Sequence, residues 1–295
     1  MTAEPTLGAP PRRPAVARGR AGRGTGYLRA VFVIWYRDVI RYRRDRMRLL
    51  ASLAQPLLFL LVFGVGLSSS LGGGARLAAG AAHLSYIQFM YPGVVGMAVL
   101  FTAMFSAMSI VWDREFGFLK EVLVAPIERS AIAVGKALGG ATQGMLQGLI
   151  MLVFAPVVGV RLSPLRVVEL LPLMFLLAFT LTTLGVVVAS RMRTIQGFQV
   201  VINFLVLPLF FLSGALFPLG RLPGWMGVLT RVDPVAYGIA PLRAAALGGL
   251  VPAHAHVGAL TFFGWPMPAP VSALVLLGVG VTMLALAVRG FAIRD

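Results

Sequence analysis

Charged side chains that could take part in a reaction or contact a partner form a cluster at residues 113–136, the charged segment. It reads DREFGFLKEVLVAPIERSAIAVGK and lies between two apolar stretches, each long enough to cross a bilayer. Its mixture of acidic, basic and aromatic residues suits contact with a soluble protein better than bond-breaking chemistry. The pattern predicts a segment that receives force from a partner, and an ordinary polar loop between two spans is the alternative.

Catalytic motifs are absent from the sequence. The nucleotide-binding pattern GxxxxGK followed by Ser or Thr is missing, because Gly135-Lys136 is followed by Ala137. The patterns GxSxG and HExxH are missing too. His254 and His256 have no acidic or thiol neighbours, which makes them weak evidence for a metal. We expect no enzyme active site, no metal and no cofactor on this chain, so that another polypeptide must supply the energy.

Composition places the chain among membrane proteins. Of its 295 residues 58% are hydrophobic and 12% charged, and the mean hydropathy is +0.88. A bilayer core of about 30 Å requires roughly 20 apolar residues in a helix. Six stretches are predicted to span it, at 49–67, 91–112, 137–160, 167–190, 198–218 and 269–288. We therefore expect an all-α membrane protein with six transmembrane helices in a domain at 49–292.

Lys and Arg residues are biased toward one side of this predicted topology. Of the 26, 20 lie before span one, between spans two and three, between spans four and five, or after span six. Short cationic loops stay in the cytoplasm, so both termini and the charged segment are predicted to be cytoplasmic. The net charge of +16 then reflects topology and attraction to anionic lipids, and no nucleic-acid partner is expected.

Two N-terminal segments precede the first span. Residues 1–24 mix Pro, Gly, Ala and Arg without periodicity, which predicts a disordered cytoplasmic tail. Residues 25–48 have the periodicity of an amphipathic interface helix, with Trp35 on its apolar side. The basic stripe of this helix consists of Arg37, Arg41, Arg44 and Arg48. Lipid phosphates and an acidic partner surface are equally good predicted contacts for the stripe.

The charged segment is divided at Pro126, which lacks a backbone N–H and disfavours helix at the residue before it. In the first part, Phe116 and Leu119 share an apolar face. Arg114 and Glu121 share a polar face. We expect two helical pieces, of which the first presents charge outward and the second continues into span three.

Span three contains a ladder of small residues, Gly140, Gly144 and Gly148, at one-turn spacing. Such a stripe lets another helix approach closely. Packing within the chain is the favoured interpretation and dimerisation is the second.

The predicted spans contain no ionisable group near their middle. A charge there costs roughly 2.5–3.5 kcal/mol on insertion scales, and ion-driven carriers commonly retain one to bind the driving ion. The pattern therefore argues against an ion-coupled carrier and favours an apolar or amphiphilic substrate.

A hydrophobic stretch at 220–268 separates spans five and six on the predicted outer side. Prolines and glycines break it into pieces that are too short to cross a bilayer. We expect re-entrant or interface-lying helices at the outer mouth.

Three segments resemble the ABC transporter type-2 permease family, in its daunorubicin and multidrug-efflux branch. They are the basic amphipathic helix ahead of Gln55-Pro56, the sequence REFGFLKEVLVAPIERSAIAVGKALGG at 114–140, and DPVAYGIAPLRAAALGG at 233–249. The resemblance extends over residues 27–292, and the middle segment is the most specific. It implies a membrane-spanning subunit of an ATP-driven exporter in the bacterial cell membrane.

The resemblance also implies partners and residue roles. Two copies of a separate ATPase subunit would use ATP and Mg, and a second permease, identical or closely homologous, would complete a dimer. The implied coupling residues are Arg114, Glu115, Phe116, Leu119, Lys120, Glu121 and Pro126, and the implied re-entrant element contains Asp233, Pro234, Tyr237 and Arg243. The expected substrate is a hydrophobic drug, antibiotic or lipid-like molecule, with antibiotic resistance as a consequence. An ion-coupled secondary carrier and a non-transport membrane scaffold are the alternatives.

Overall fold

The computed structural model describes residues 23–66, 84–116, 128–219, 222–248, 250, 260–262 and 265–293. Within these ranges the chain forms helices and one short antiparallel hairpin of β1 (Thr261–Phe262) and β2 (Trp265–Pro266). The helices are α1 (Arg23–Arg44), α2 (Arg46–Phe59, continued by a π-helical stretch at Leu60–Val65), α3 (Tyr86–Ser106), α4 (Met108–Glu115), α5 (Arg129–Leu152), α6 (Pro164–Arg191), α7 (Ile195–Leu212), α8 (Gly224–Val232), α9 (Pro234–Leu247) and α10 (Ala269–Ile293), with a 3₁₀ turn at Pro156–Val158. The tail predicted for residues 1–24 lies outside the described residues, except for its last two, which begin α1.

Within the described ranges, four helical stretches are long and apolar enough to cross a membrane: Tyr86–Glu115, Pro164–Arg191, Ile195–Leu212 and Ala269–Gly290. A fifth crossing arises if Gly26–Arg44 and Leu49–Val65, which bend by 70° at a short break, form one span. The prediction of a helical, multi-pass membrane protein is therefore confirmed.

The number of candidate spans is smaller than the predicted six, and helix α5 is one reason. It occupies most of the predicted third span but is not among the helices apolar enough to qualify. Its glycines, Gln143 and Gln147 are buried against neighbouring helices. A helix that is shielded from lipid by protein does not need an apolar surface. Six spans, with α5 as the third, remain a prediction.

The core lies around α3. Of the most apolar window in Tyr86–Glu115, 78% is buried. The corresponding share is 22% in α7 and in α10, so α7 and α10 face the surroundings. Helix α3 packs against α5, α6 and α9. The Tyr91 hydroxyl donates to the Met151 carbonyl (2.8 Å), and the Tyr86 hydroxyl donates to the Leu216 carbonyl (2.9 Å). These two buried phenols thus have hydrogen-bond partners.

The glycine ladder of α5 faces α3 and α6. Gly140 lies against Ser106 and Thr182, Gly144 against Ala103 and Ala178, and Gly148 against Val99 and Met174. A Cβ atom added at Gly144 would lie 2.8 Å from the Ala178 Cβ, which is fixed to its backbone. The absence of side chains at these positions is what lets the three helices pack closely within one chain.

We predict that Gly144→Ala lowers the free energy of unfolding by about 1–3 kcal/mol, because α5 and α6 must separate to accept the new methyl group. Gly278→Ala is the matched control, since a Cβ at Gly278 in α10 would meet nothing within 4 Å. That control should be neutral or stabilising by up to about 1 kcal/mol, as alanine favours helix. Thermal unfolding of the two purified variants in one detergent measures the difference, and equal midpoints would contradict it.

Candidate coupling site

Helix α1 is joined to α5 by polar contacts along its inner side. The Trp35 indole N–H donates to the Thr142 hydroxyl (3.0 Å), and the Tyr42 hydroxyl donates to the Gln147 side-chain oxygen (2.6 Å). The Gln143 side-chain amide donates to the Asp38 carbonyl (3.3 Å). The interface helix predicted at 25–48 therefore packs on protein through residues that include Trp35.

The outer side of α1 carries both apolar and basic residues. Leu28, Phe32 and Tyr36 are exposed, and the rings of Phe32 and Tyr36 stack with centroids 5.8 Å apart. The predicted stripe residues Arg37, Arg41 and Arg44 are exposed as well. This side of the helix suits a lipid headgroup region, where aromatic rings and guanidinium groups both find favourable surroundings.

A buried ion cluster lies where α1, α4 and α5 meet. The Lys136 ammonium contacts the Asp38 carboxylate at 3.1 Å and the Asp113 carboxylate at 3.5 Å, and it donates to the Ser109 hydroxyl (2.9 Å). The side chains of Lys136 and Asp38 are only 4% and 7% exposed. Arg37, which is half exposed, contacts Asp113 at 3.4 Å. Two cations and two carboxylates thus form a neutral group that connects three helices.

Sequence reasoning missed Asp38, Asp113 and Lys136 as members of this cluster. One signal was available in the sequence. Asp38 is an isolated acidic residue within an arginine-rich helix, and an acidic side chain that becomes buried needs a cation beside it. Burying these charges carries a desolvation cost that only close pairing and extra hydrogen bonds offset. The cluster therefore holds α1 against α4 and α5 in a defined register.

A second polar joint ties the end of α4 to the connection between α6 and α7. One Arg114 guanidinium nitrogen, Nη1, donates to the carbonyls of Ala189 (3.3 Å), Ser190 (3.2 Å) and Met192 (2.7 Å) at the end of α6. The Ala189 carbonyl also accepts from the Met192 backbone N–H (3.2 Å). All three carbonyls lie at the negative end of the helix dipole, so a cation there is stabilising. The predicted coupling residue Arg114 is therefore engaged within the chain.

Glu115 contacts the beginning of the next helix. Its Oε2 accepts a hydrogen bond from the Ile195 backbone N–H (2.8 Å), the first residue of α7. Thr194, the N-cap, accepts from the Gly197 N–H (3.2 Å). A carboxylate suits the positive end of a helix dipole. Arg114 and Glu115 together attach α4 to the ends of two helices, and their opposite charges match the opposite dipole ends.

Phe116 follows this joint and is 58% exposed. Its ring packs on Trp112, which is also exposed, with centroids 5.1 Å apart. The remaining predicted coupling residues Leu119, Lys120, Glu121 and Pro126 lie outside the described residues. The polar joints and the exposed aromatic pair thus flank the part of the charged segment that the structure does not describe.

The predicted re-entrant residues lie at the opposite end of the bundle, in α9 and at Asp233, the single residue that separates α8 from α9. Asp233 caps α9 by accepting from the Val235 N–H (2.8 Å), Pro234 is in the first turn, and the Tyr237 hydroxyl donates to the Arg231 carbonyl (2.7 Å). Burial raises the pKa of the Asp233 carboxyl, and the Val235 hydrogen bond opposes that rise.

Arg243 of α9 is almost fully buried. Its guanidinium donates to the carbonyls of Gly214 (2.8 Å), Ala215 (3.1 Å) and Phe89 (3.3 Å), and it lies 4.1 Å from the Phe89 ring centroid. Burial lowers the pKa of Arg243 to about 9, so the group keeps its charge at neutral pH. It therefore anchors α9 to α3 and to the segment after α7 through carbonyl dipoles and a cation–π contact.

We predict that Lys136→Met destabilises the protein by roughly 3–5 kcal/mol, because the buried Asp38 carboxylate would keep only the half-exposed Arg37, at 3.6 Å, as a cation. Adding Asp38→Asn should recover a large part of this loss. A double-mutant cycle on unfolding in detergent measures the coupling between the two side chains. Arg37→Gln is the control, and it should cost less than about 1 kcal/mol because Arg37 is half exposed. Equal losses for Lys136→Met and Arg37→Gln would refute the buried joint.

The chain is similar in sequence to known proteins. Residues 29–247, from α1 to the end of α9, match the family described as ABC-2 type transporter. The chain is 31% identical over 219 residues to a protein named transport permease ycf38 of Cyanophora paradoxa, with 74% of each chain covered.

Two further relatives have lower identity and similar coverage. Nodulation protein J of Rhizobium meliloti is 27% identical over 231 residues, which cover 77% of this chain and 85% of that protein. A protein named doxorubicin resistance ABC transporter permease protein DrrC, of Mycobacterium tuberculosis, is 27% identical over 225 residues, or 73% of this chain and 76% of that protein. The family resemblance predicted from the charged segment and residues 233–249 is thus confirmed, and the chain belongs to the ABC-2 type transporter family.

Proposed function

We propose that this chain is the membrane-spanning subunit of an exporter that is driven by a separate ATP-hydrolysing subunit. The observation that carries the proposal is the family match over residues 29–247, which includes both polar joints and α9. The relative named for doxorubicin resistance supports a hydrophobic drug or antibiotic as cargo, and a lipid-like molecule has similar chemistry. The permease itself hydrolyses nothing and binds no cofactor, while ATP and Mg act on the partner.

The proposed contact for the ATPase is the part of the charged segment from Arg114 to Pro126. Exposed Phe116 and Trp112 support it, because aromatic residues at the centre of protein interfaces contribute much of the binding energy. Leu119, Lys120 and Glu121 belong to the same proposed surface by sequence alone. This end of the bundle is proposed to face the cytoplasm, in accord with its excess of basic residues.

Two routes carry force from this surface into the bundle. Arg114 and Glu115 pass motion to the end of α6 and the beginning of α7. Lys136, the last residue of the charged segment, passes it to α1 through Asp38. Packed helices with two discrete arrangements convert such a push into an alternation between two states. ATP-driven movement of the partner then opens an outward path for the cargo.

The complete exporter is proposed to contain two permeases and two ATPase subunits in a bacterial cell membrane. Exposed apolar residues on α2 and α7 support a second permease copy, because large apolar patches mark contacts with protein or lipid. They include Leu58, Leu61 and Val62 on α2, and Val200, Phe204 and Leu207 on α7. Bilayer lipid would cover the rest.

We predict that the permease exports a hydrophobic dye from inside-out vesicles only when reconstituted with its ATPase and supplied with ATP and Mg. Phe116→Ala should reduce ATPase co-purification severalfold, since it removes an exposed aromatic contact. Trp225→Ala is the matched control, because Trp225 is equally exposed but lies on α8 at the other end. Uphill transport by the permease alone, or under an ion gradient without ATP, would refute the proposal.

A relay variant should behave differently from a docking variant. We predict that Arg114→Ala retains ATPase co-purification but lowers ATP-dependent export at least severalfold, because the end of α6 is no longer tied to α4. Measuring both quantities on the same preparations separates the two roles. Loss of co-purification without any loss of export per bound ATPase would contradict the relay.

A further inference from the structure

A cavity of about 390 Å³ lies between α3 and the region where α1 passes into α2. Its walls include Tyr42, Ser52, Gln55, Phe101, Thr102 and Phe105. Its volume is in the range of cavities that hold drug-sized molecules. The buried ion cluster and the joint formed by Arg114 and Glu115 contribute no residue to this wall. Tyr42 lines it, but the Tyr42 hydroxyl is already bonded to Gln147.

One wall of the cavity is aromatic. Phe101 and Phe105 are one turn apart on α3, and their rings are nearly parallel, with centroids 6.3 Å apart. Both are only partly buried, whereas Val94 to Leu100 are buried throughout. Met108 lies one turn further along and adds a polarisable sulfur that favours aromatic neighbours. This wall suits a flat aromatic ring system, which gains from stacking on the phenylalanine rings.

The polar groups of the cavity are uncharged. Thr102 is 6% exposed, and its hydroxyl has no hydrogen-bond partner among the described residues. Gln55 is exposed on α2, within the first predicted span. An amide or hydroxyl without a partner in hydrocarbon carries a large free-energy penalty. A ligand with a hydrogen-bonding group would relieve that penalty at Thr102 and would find a second polar group at Gln55.

Charges lie next to this cavity but outside it. A neighbouring polar cavity of about 220 Å³ shares Tyr42 and Met108 with it and is lined in addition by Asp38, Arg41 and Asp45. Asp38 is already paired with Lys136. The aromatic cavity thus offers stacking surfaces and neutral hydrogen-bonding groups, with no ionised side chain in its described wall to attract a charged ligand.

We infer that this cavity is a binding site for a neutral, planar aromatic amphiphile. The ring system lies against Phe101 and Phe105, and the polar group bonds to Gln55 and Thr102. This assignment rests on the proposed function insofar as the bound molecule is cargo of the exporter. Binding itself requires only the permease, so it is testable without the ATPase.

The absence of cysteine from the chain allows a direct test. A single Ser52→Cys change places a thiol on the cavity wall, and Val281→Cys places the matched control on α10, where Val281 is exposed. Purified permease in lipid nanodiscs is treated with a maleimide, with and without Nile red as the neutral planar aromatic probe. We expect Nile red to slow labelling at position 52 severalfold and to leave position 281 unchanged.

Three second-site variants in the Ser52→Cys background test the assigned contacts. Phe101→Ala and Gln55→Leu should each weaken protection by Nile red. Thr102→Val removes the unpartnered hydroxyl with little change of shape, so it should weaken protection roughly five- to tenfold without lowering the unfolding temperature. That combination distinguishes a ligand contact from a structural role.

Equal protection at positions 52 and 281 would overturn the site, because it would mean that the dye acts through the lipid. Protection that survives all three second-site variants would overturn it as well. Failure of this test leaves ATP-dependent export in place as a proposal, whereas failure of export in reconstituted vesicles leaves the measured dye binding unaffected. The two conclusions therefore fail separately.

Discussion

The pairing of Lys136 with Asp38 is the constraint on which the arrangement of one end of the bundle depends. Neither charge can remain buried alone, because the cost of desolvation is several kcal/mol for each ion. The pair therefore requires α1 to lie along α5, and Asp113 brings the end of α4 to the same point. With α1 fixed, the chain must bend before α2, and that bend forms one side of the aromatic cavity.

The glycine ladder imposes the complementary constraint in the apolar part of α5. Close approach of α3 and α6 at Gly140, Gly144 and Gly148 excludes lipid from this face of the helix. The two glutamines of α5 are then free of lipid and contact α1: Gln143 bonds to the Asp38 carbonyl, and Gln147 bonds to the Tyr42 hydroxyl. A helix with two buried glutamines is thereby kept in the middle of a membrane domain, because close packing shields its polar groups from lipid.

The sequence predicted the features that depend on local composition. Helical, multi-pass architecture follows from the apolar stretches, and the breaks at Pro223 and Pro234 predicted a short helix between them. Pro241 was predicted to break the stretch as well, but it lies inside α9, where a proline removes one helical hydrogen bond without ending the helix. Contacts between distant segments could not be predicted from the sequence, since no local pattern indicates that Lys136 contacts Asp38 or that Arg243 contacts the carbonyl of Gly214. Arg114 illustrates the limit. Its amphipathic position predicted an outward charge, whereas its guanidinium bonds to carbonyls at the end of α6 because unpaired helix ends attract cations.

Helix α7 shows how these constraints position a helix at the edge of the bundle. Little of its surface is buried, and one narrow face, with Phe198, Ile202, Val206 and Phe210, packs into the core. Its first N–H is bonded to Glu115, and the chain just beyond its last turn is bonded to Arg243 through Gly214 and Ala215. Gly214 has a positive φ of 73°, which a side chain would strain, so the bend that offers these carbonyls to Arg243 depends on glycine. A helix that is held at both ends and along one narrow face keeps its position in the bundle while most of its surface stays available to lipid or to another protein.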